Sequence, residues 1–177
     1  IEISLAGRVA IARTGDPGGE TGLGSRARVA FAFLALERWR AVTHDELAEV
    51  VWGVDLPPTW RAALRGVVSR IRRALAAAGL EPNVALTSSP GGYQLHLPSG
   101  STVDVELARQ RLHDGRALAP TNPLEARMKA ERAVATLRGE FLGGLEGGWV
   151  ERLRLELSEL RLQALEVLSQ ARTSCGD

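Results

Sequence analysis

The chain has 177 residues, 45% of them hydrophobic, with 22 Lys and Arg against 21 Asp and Glu for a formal net charge of +1. That length and apolar content suit one large core or two small ones, and the near-neutral balance excludes a polycation, so a nucleic-acid surface must come from local placement of charge. The single cysteine, Cys175, excludes a disulfide framework and a thiolate metal cluster, and the lack of a long apolar run or a basic-then-apolar leader leads us to expect a cytoplasmic protein with no membrane partner. In chain order, Ile1 to Arg13 alternates apolar and polar residues around Ala6-Gly7-Arg8, which predicts a half-buried hairpin. Gly15 to Gly22 is a turn-rich loop leading to a third short strand near Leu23. It lacks the Gly-Lys-Ser/Thr ending of a phosphate-binding loop.

Residues 26 to 39 read as a core helix, with Val29, Phe31, Phe33, Leu34 and Leu36 too many for a one-sided surface helix. Trp39 and Trp52 are expected to fill the core beside it. Thr43 and Glu46 form a capping box that opens a second helix running to Trp52, with Gly53 as its stop. Val54-Asp55-Leu56-Pro57-Pro58 must be a loop, since each proline disfavours helix in the residue before it. A third helix runs from about Thr59 to Ala78, its buried stripe marked by Leu64, Val68, Ile71 and Leu75. Trp60, at its start, could pack under the loop or meet a partner. Asn83 to Thr87 and Tyr93 to Leu97 read as strands around Ser88-Ser89-Pro90-Gly91-Gly92, a hairpin longer than the tightest turns.

After Pro98-Ser99-Gly100-Ser101 the pattern is helical only: about 103 to 118, 123 to 138 and 149 to 172. The division expected is therefore residues 1–99 and 102–177. Asn122, Pro123 and Glu125 make a strong helix start. The last helix carries two apolar stripes, Leu153, Leu157, Leu160, Ala164, Val167 and Ala171 on one and Leu155, Leu162 and Leu165 on the other. So wide an arc needs partners on more than one side, which suggests a fragment whose further helices are missing.

The third helix holds the candidate chemistry. Between Arg61 and Arg73 it has Arg61, Arg65, Arg70, Arg72 and Arg73 and no acidic residue. At about 100° per residue, Ala62, Gly66, Ser69, Arg70 and Arg73 fall opposite the buried stripe, with Arg61, Arg65 and Arg72 along its edge. Small residues let a helix approach closely in a major groove, arginine reads guanine edges in bidentate fashion, and flanking arginines neutralise phosphates. Other chemistry is weakly supported. His44, His96 and His113 have no metal-ligand spacing. His113-Asp114 has no accompanying nucleophile motif. No catalytic residue, cofactor or metal is expected.

Leu47 to Gly53, Pro57-Pro58, Leu64-Arg65-Gly66-Val67-Val68-Ser69-Arg70-Ile71-Arg72-Arg73-Ala74-Leu75 and Gly92-Tyr93-Gln94-Leu95 resemble the winged-helix domain of SARP-type regulators, related to the OmpR-type fold. Val103-Asp104 and Trp149 to Leu168 are similar to that family's bacterial transcriptional activator domain. The resemblance implies an α+β winged helix-turn-helix followed by an all-α, tetratricopeptide-like domain. It also implies a transcription activator that binds promoter direct repeats in double-stranded DNA as two cooperating protomers, a homodimer on DNA. The loop Val54, Asp55, Leu56, Pro57 and Pro58 would then contact RNA polymerase. Family members often carry an aromatic residue at the position of Val67 and a wing arginine at Ser88 or Ser89. Without that arginine, the wing contacts fall to Thr87, Ser88, Ser89, Gly91 and Gly92, with Tyr93 beside them. Two other readings stay open: a helical-repeat or ligand-sensing adaptor whose winged domain serves protein contacts, and an output arm for a C-terminal NTPase or sensor.

Overall fold

The computed structural model describes residues 1–13, 15 and 22–175. The opening hairpin forms as expected, β1 (Glu2–Ser4) pairing antiparallel with β2 (Ala10–Ala12) so that Ile3 faces Ile11. Ile3, Leu5, Val9 and Ile11 are buried by the alternation that predicted them. Among the described residues no strand forms near Leu23, which is buried in irregular chain just ahead of the first helix. The third strand of this sheet comes instead from far downstream, where β5 (Thr102–Val103) lies parallel to β1 and gives the order β2-β1-β5. Most of the expected loop, residues 16–21, lies outside the described residues.

Helix α1 (Ser25–Leu36) buries Ala27 and every residue from Val29 to Ala35. It stops three residues earlier than expected, with the Glu37 amide closing onto the Phe33 carbonyl at 2.9 Å. Trp39 is thereby carried out of the helix and stands 76% exposed, its ring stacked under the Arg38 guanidinium at 4.1 Å. Of the two tryptophans expected in the core, only Trp52 is there. Helix α2 (His44–Trp52) begins with Thr43 Oγ1 accepting from the Glu46 amide at 3.2 Å. The return half of the capping box is replaced, because the Glu46 carboxylate takes both Arg40 donors at 2.9 and 2.5 Å. That pairing holds the Glu46 carboxyl below its usual range.

Helix α3 (Trp60–Ala77) follows, ended by Gly79 in the left-handed region at φ +80°. The residues read as a strand at 83–87 instead form a short helix, α4 (Pro82–Ala85), because Glu81 caps the Val84 amide at 2.7 Å and Pro82 occupies the first turn. The hairpin then consists of β3 (Leu86–Ser89) and β4 (Gly92–Leu95). Ser89 pairs with Gly92, so only Pro90 and Gly91 form the turn and the connection is tighter than the sequence suggested.

The second half packs α5 (Asp104–Leu118), α6 (Pro123–Thr136) and α7 (Gly148–Cys175) against one another through Ala108, Leu112, Ala130, Ala133, Ala164 and Val167. Small alanines let these helices approach closely. One buried cluster runs unbroken from Ile3 through α1 and α3 into α5 and α7. The half-buried Asp104 carboxylate accepts the Leu5 amide at 2.9 Å and the Ala6 amide at 3.0 Å, while Arg38 holds Glu106 by two bonds at 2.6 and 2.7 Å. The segment joining α6 to α7 folds back onto the first hairpin, where Gly7 donates to the Glu140 carbonyl at 3.1 Å. Among the described residues no helix is long and apolar enough to cross a membrane.

Candidate nucleic-acid interface

Helix α3 is positioned by its apolar side. Leu64, Val68, Ile71 and Leu75 are buried as expected, and Val67 and Ala74 join them. Val67 is therefore a packing residue. The opposite side carries Arg61, Ala62, Arg65, Gly66, Ser69, Arg70 and Arg73, all exposed. Arg65, Arg70 and Arg73 have no hydrogen-bond or ion-pair partner among the described residues. Three like charges held on one face without counterions favour an anionic partner.

The other two arginines are placed differently. Arg61 lies over the half-buried Trp60 ring at 4.6 Å and 4.0 Å from Asp45, with both ends of that pair well exposed. Trp60 itself packs against the core. Arg72 is half-buried, and its Nε and Nη2 donate to the Leu86 carbonyl at 3.2 and 2.9 Å. Its place along the edge of the buried stripe predicts a phosphate ligand. The side chain instead ties the middle of α3 to the first residue of the wing, fixing the two relative to each other.

The wing set also divides. Thr87, Ser88, Ser89, Pro90 and Gly91 are exposed. Thr87 Oγ1 donates to the Gln94 carbonyl at 3.3 Å and lies 3.1 Å from His96 Nε2, and Ser89 Oγ donates to the Gly92 carbonyl at 3.4 Å. Gly92 and Tyr93, included with the candidate site, are buried next to the turn of the hairpin. A Cβ on Gly92 would run into the Val42 carbonyl. Tyr93 and Val42 exchange backbone hydrogen bonds at 2.9 and 2.8 Å, and the Tyr93 ring meets His44 edge-on at 4.9 Å. These two residues anchor the wing and do not form its surface. Gln94, whose amide donates to the Arg38 carbonyl at 3.1 Å, is a second anchor that the sequence reading missed. Local spacing holds no signal for a bond spanning that much chain.

The loop before α3 stands clear of the core. Val54 is fully exposed and Asp55, Leu56 and Pro58 are exposed, with Pro57 half-buried and its carbonyl accepting the Trp60 amide at 2.9 Å. Gly53–Asp55 forms one 3-10 turn within the stretch expected to be irregular. No group of three metal-ligating side chains exists among the described residues. Asp114 ties α5 to α6 through Lys129 at 3.1 Å, which holds its carboxyl below the usual range.

Residues 18–95 match the family described as "Transcriptional regulatory protein, C terminal", and residues 103–177 match the "Bacterial transcriptional activator domain". The chain belongs to the SARP-type regulators. Among similar proteins, the regulatory protein AfsR of Streptomyces coelicolor is 33% identical over 140 residues, covering 78% of this chain and 14% of AfsR. The transcriptional regulator RedD of the same organism is 31% identical over 176 residues, covering 97% of this chain and 49% of RedD. A solved structure of Mycobacterium tuberculosis EmbR, in complex with a low-affinity phosphopeptide, superposes with a TM-score of 0.85 at 27% identity, over 99% of this chain and 46% of that one. The SARP-type winged helix and the helical activator domain thus follow in the expected order. This chain spans at most about half the length of these relatives. EmbR and RedD are transcriptional regulators.

Proposed function

We propose that this chain binds double-stranded DNA sequence-specifically and activates transcription, with residues 1–99 as the DNA-reading domain and residues 102–177 as part of the activator domain. The observation that carries this reading is the set of unpaired arginines, Arg65, Arg70 and Arg73, on the small-residue face of a helix braced to a wing. Helix α3 docks in the major groove, where Arg70 and Arg73 meet base edges and Arg65 and Arg61 meet phosphates. Thr87, Ser88, Ser89 and Gly91 contact the backbone from the wing. Two protomers bind promoter direct repeats, and Val54 to Pro58 offer RNA polymerase an exposed, proline-stiffened surface. The test is fluorescence anisotropy on a footprinted promoter fragment. A triple Arg65/Arg70/Arg73→Ala variant should lose site-specific binding while keeping its melting temperature. Equal promoter affinity of that variant would overturn the reading.

A further inference from the structure

We propose that Gly66 is the point at which α3 comes closest to the floor of the major groove, and that Arg70 and Arg73 read guanines on neighbouring base pairs there. This rests on the DNA-binding reading above and adds to it the base preference and the residue that sets the approach. Other glycines of this fold have a reason within the fold. Gly79 takes a positive φ, Gly92 makes room for the Val42 carbonyl, and Gly139 packs on the Gly7 backbone. Gly66 has none of these. It lies inside the 18-residue α3, its φ is not in the left-handed region, and a Cβ there would meet nothing within 4 Å. Glycine is among the poorest helix formers, so its place amid the exposed face weakens the helix without relieving any internal contact. What it provides is a low point on the surface, flanked one turn away by Ala62 and by Ser69 and framed by three arginines that none of the described residues neutralises.

The side chains available decide which base is read. Between Trp60 and Ala77 there is no Asn, Gln, Asp or Glu, so α3 has no bidentate reader of adenine and no carboxylate acceptor for cytosine. Arg72 is spent on the Leu86 carbonyl. Arg70 and Arg73 remain, separated by about 4.5 Å along the helix axis, close to the roughly 3.4 Å step between bases of one strand. Their matching partner is the O6 and N7 edge of guanine on adjacent base pairs.

The experiment starts with selection of preferred duplexes by the 177-residue chain from a randomised library. The winning site is then resynthesised with 7-deazaguanine, which lacks the N7 acceptor, at each guanine in turn. We expect about a ten-fold loss of affinity at two neighbouring positions, and no further loss at one of them when Arg70→Ala is used. Gly66→Leu should raise the melting temperature while lowering affinity for the selected site at least as much, with Gly66→Ala intermediate. Full affinity for every 7-deazaguanine site would overturn the guanine reading, a result that stands even if Gly66→Leu fails to fold. Unchanged affinity of a folded Gly66→Leu would overturn the close approach. Failure to enrich any sequence would overturn DNA reading itself, and this inference with it.

Discussion

Arg70 and Arg72 stand two residues apart on α3, and their surroundings predict different failures. Arg70 is exposed and unpaired, so Arg70→Ala should cost roughly 1–3 kcal/mol on the preferred site, relax its sequence preference and leave the melting temperature alone. Arg72 gives two charge-assisted bonds to the Leu86 carbonyl. Arg72→Ala should lower stability by about 1.5–3 kcal/mol and speed amide exchange in the hairpin from Leu86 to Leu95, with affinity lost because the wing loosens. An unchanged melting temperature together with a flattened salt dependence would make Arg72 a phosphate ligand after all. Asp104 carries a pH signature. Burial raises its carboxyl above the usual value although the backbone amides of Ala6, Leu5, Val105 and Asp104 oppose the shift. Its contribution to stability is therefore fullest below about pH 4, the unfolded value, and declines as pH rises through the higher folded value. Asp104→Asn removes that term, so denaturant titrations from pH 3 to 7 should find the variant gaining on the wild type as pH rises.

The elements that sequence made plain are those with a repeating apolar pattern. Helices α1, α2, α3, α5, α6 and α7 and the first hairpin lie close to where the apolar pattern put them, because each buries a definite face, or in α1 almost the whole circumference. The failures are short or depend on distant chain. Glu81-Pro82 is a helix start, but it heads only four residues, and Val84 and Leu86 imitate a strand. Trp39 reads as core until α1 is seen to end at Leu36. In the candidate site, the exposed arginine face was legible from the 100° rotation, whereas the inward turn of Arg72 and the burial of Gly92 and Tyr93 depend on the approach of β3 and Val42. The turn end of the wing yields its own prediction. Gly92→Ala sets a methyl group against the Val42 carbonyl at φ +147° and should cost about 2 kcal/mol or more, measured by urea unfolding. A neutral result would mean that the Val42 and Tyr93 segments separate easily.

At the scale of the molecule, two surfaces are uncovered. Replacing Val54, Asp55 and Leu56 by Gly or Ser, with both prolines kept, should leave DNA affinity nearly unchanged and sharply reduce transcription in a purified polymerase system. Undiminished transcription at saturating protein would reject the loop as a polymerase contact. On α7, Leu155, Leu162 and Leu165 are 67%, 61% and 40% exposed, the stripe for which no partner was found in the sequence. Sedimentation at rising concentration should detect self-association, reversed by changing the three leucines to Ser. The sheet order β2-β1-β5 also bears on how the chain is made. Glu2 pairs with Thr102, so on the ribosome the first hairpin waits for most of the winged helix to emerge before its inner strand gains a second neighbour. A lone two-stranded hairpin is marginal in water, and so distant a contact makes this corner a late step in folding. A DNA-reading half cut at residue 99 would leave β1 as an open edge, ready to pair with another copy and to aggregate. The boundary proposed between the winged helix and the helical half is thus a poor place to divide the polypeptide.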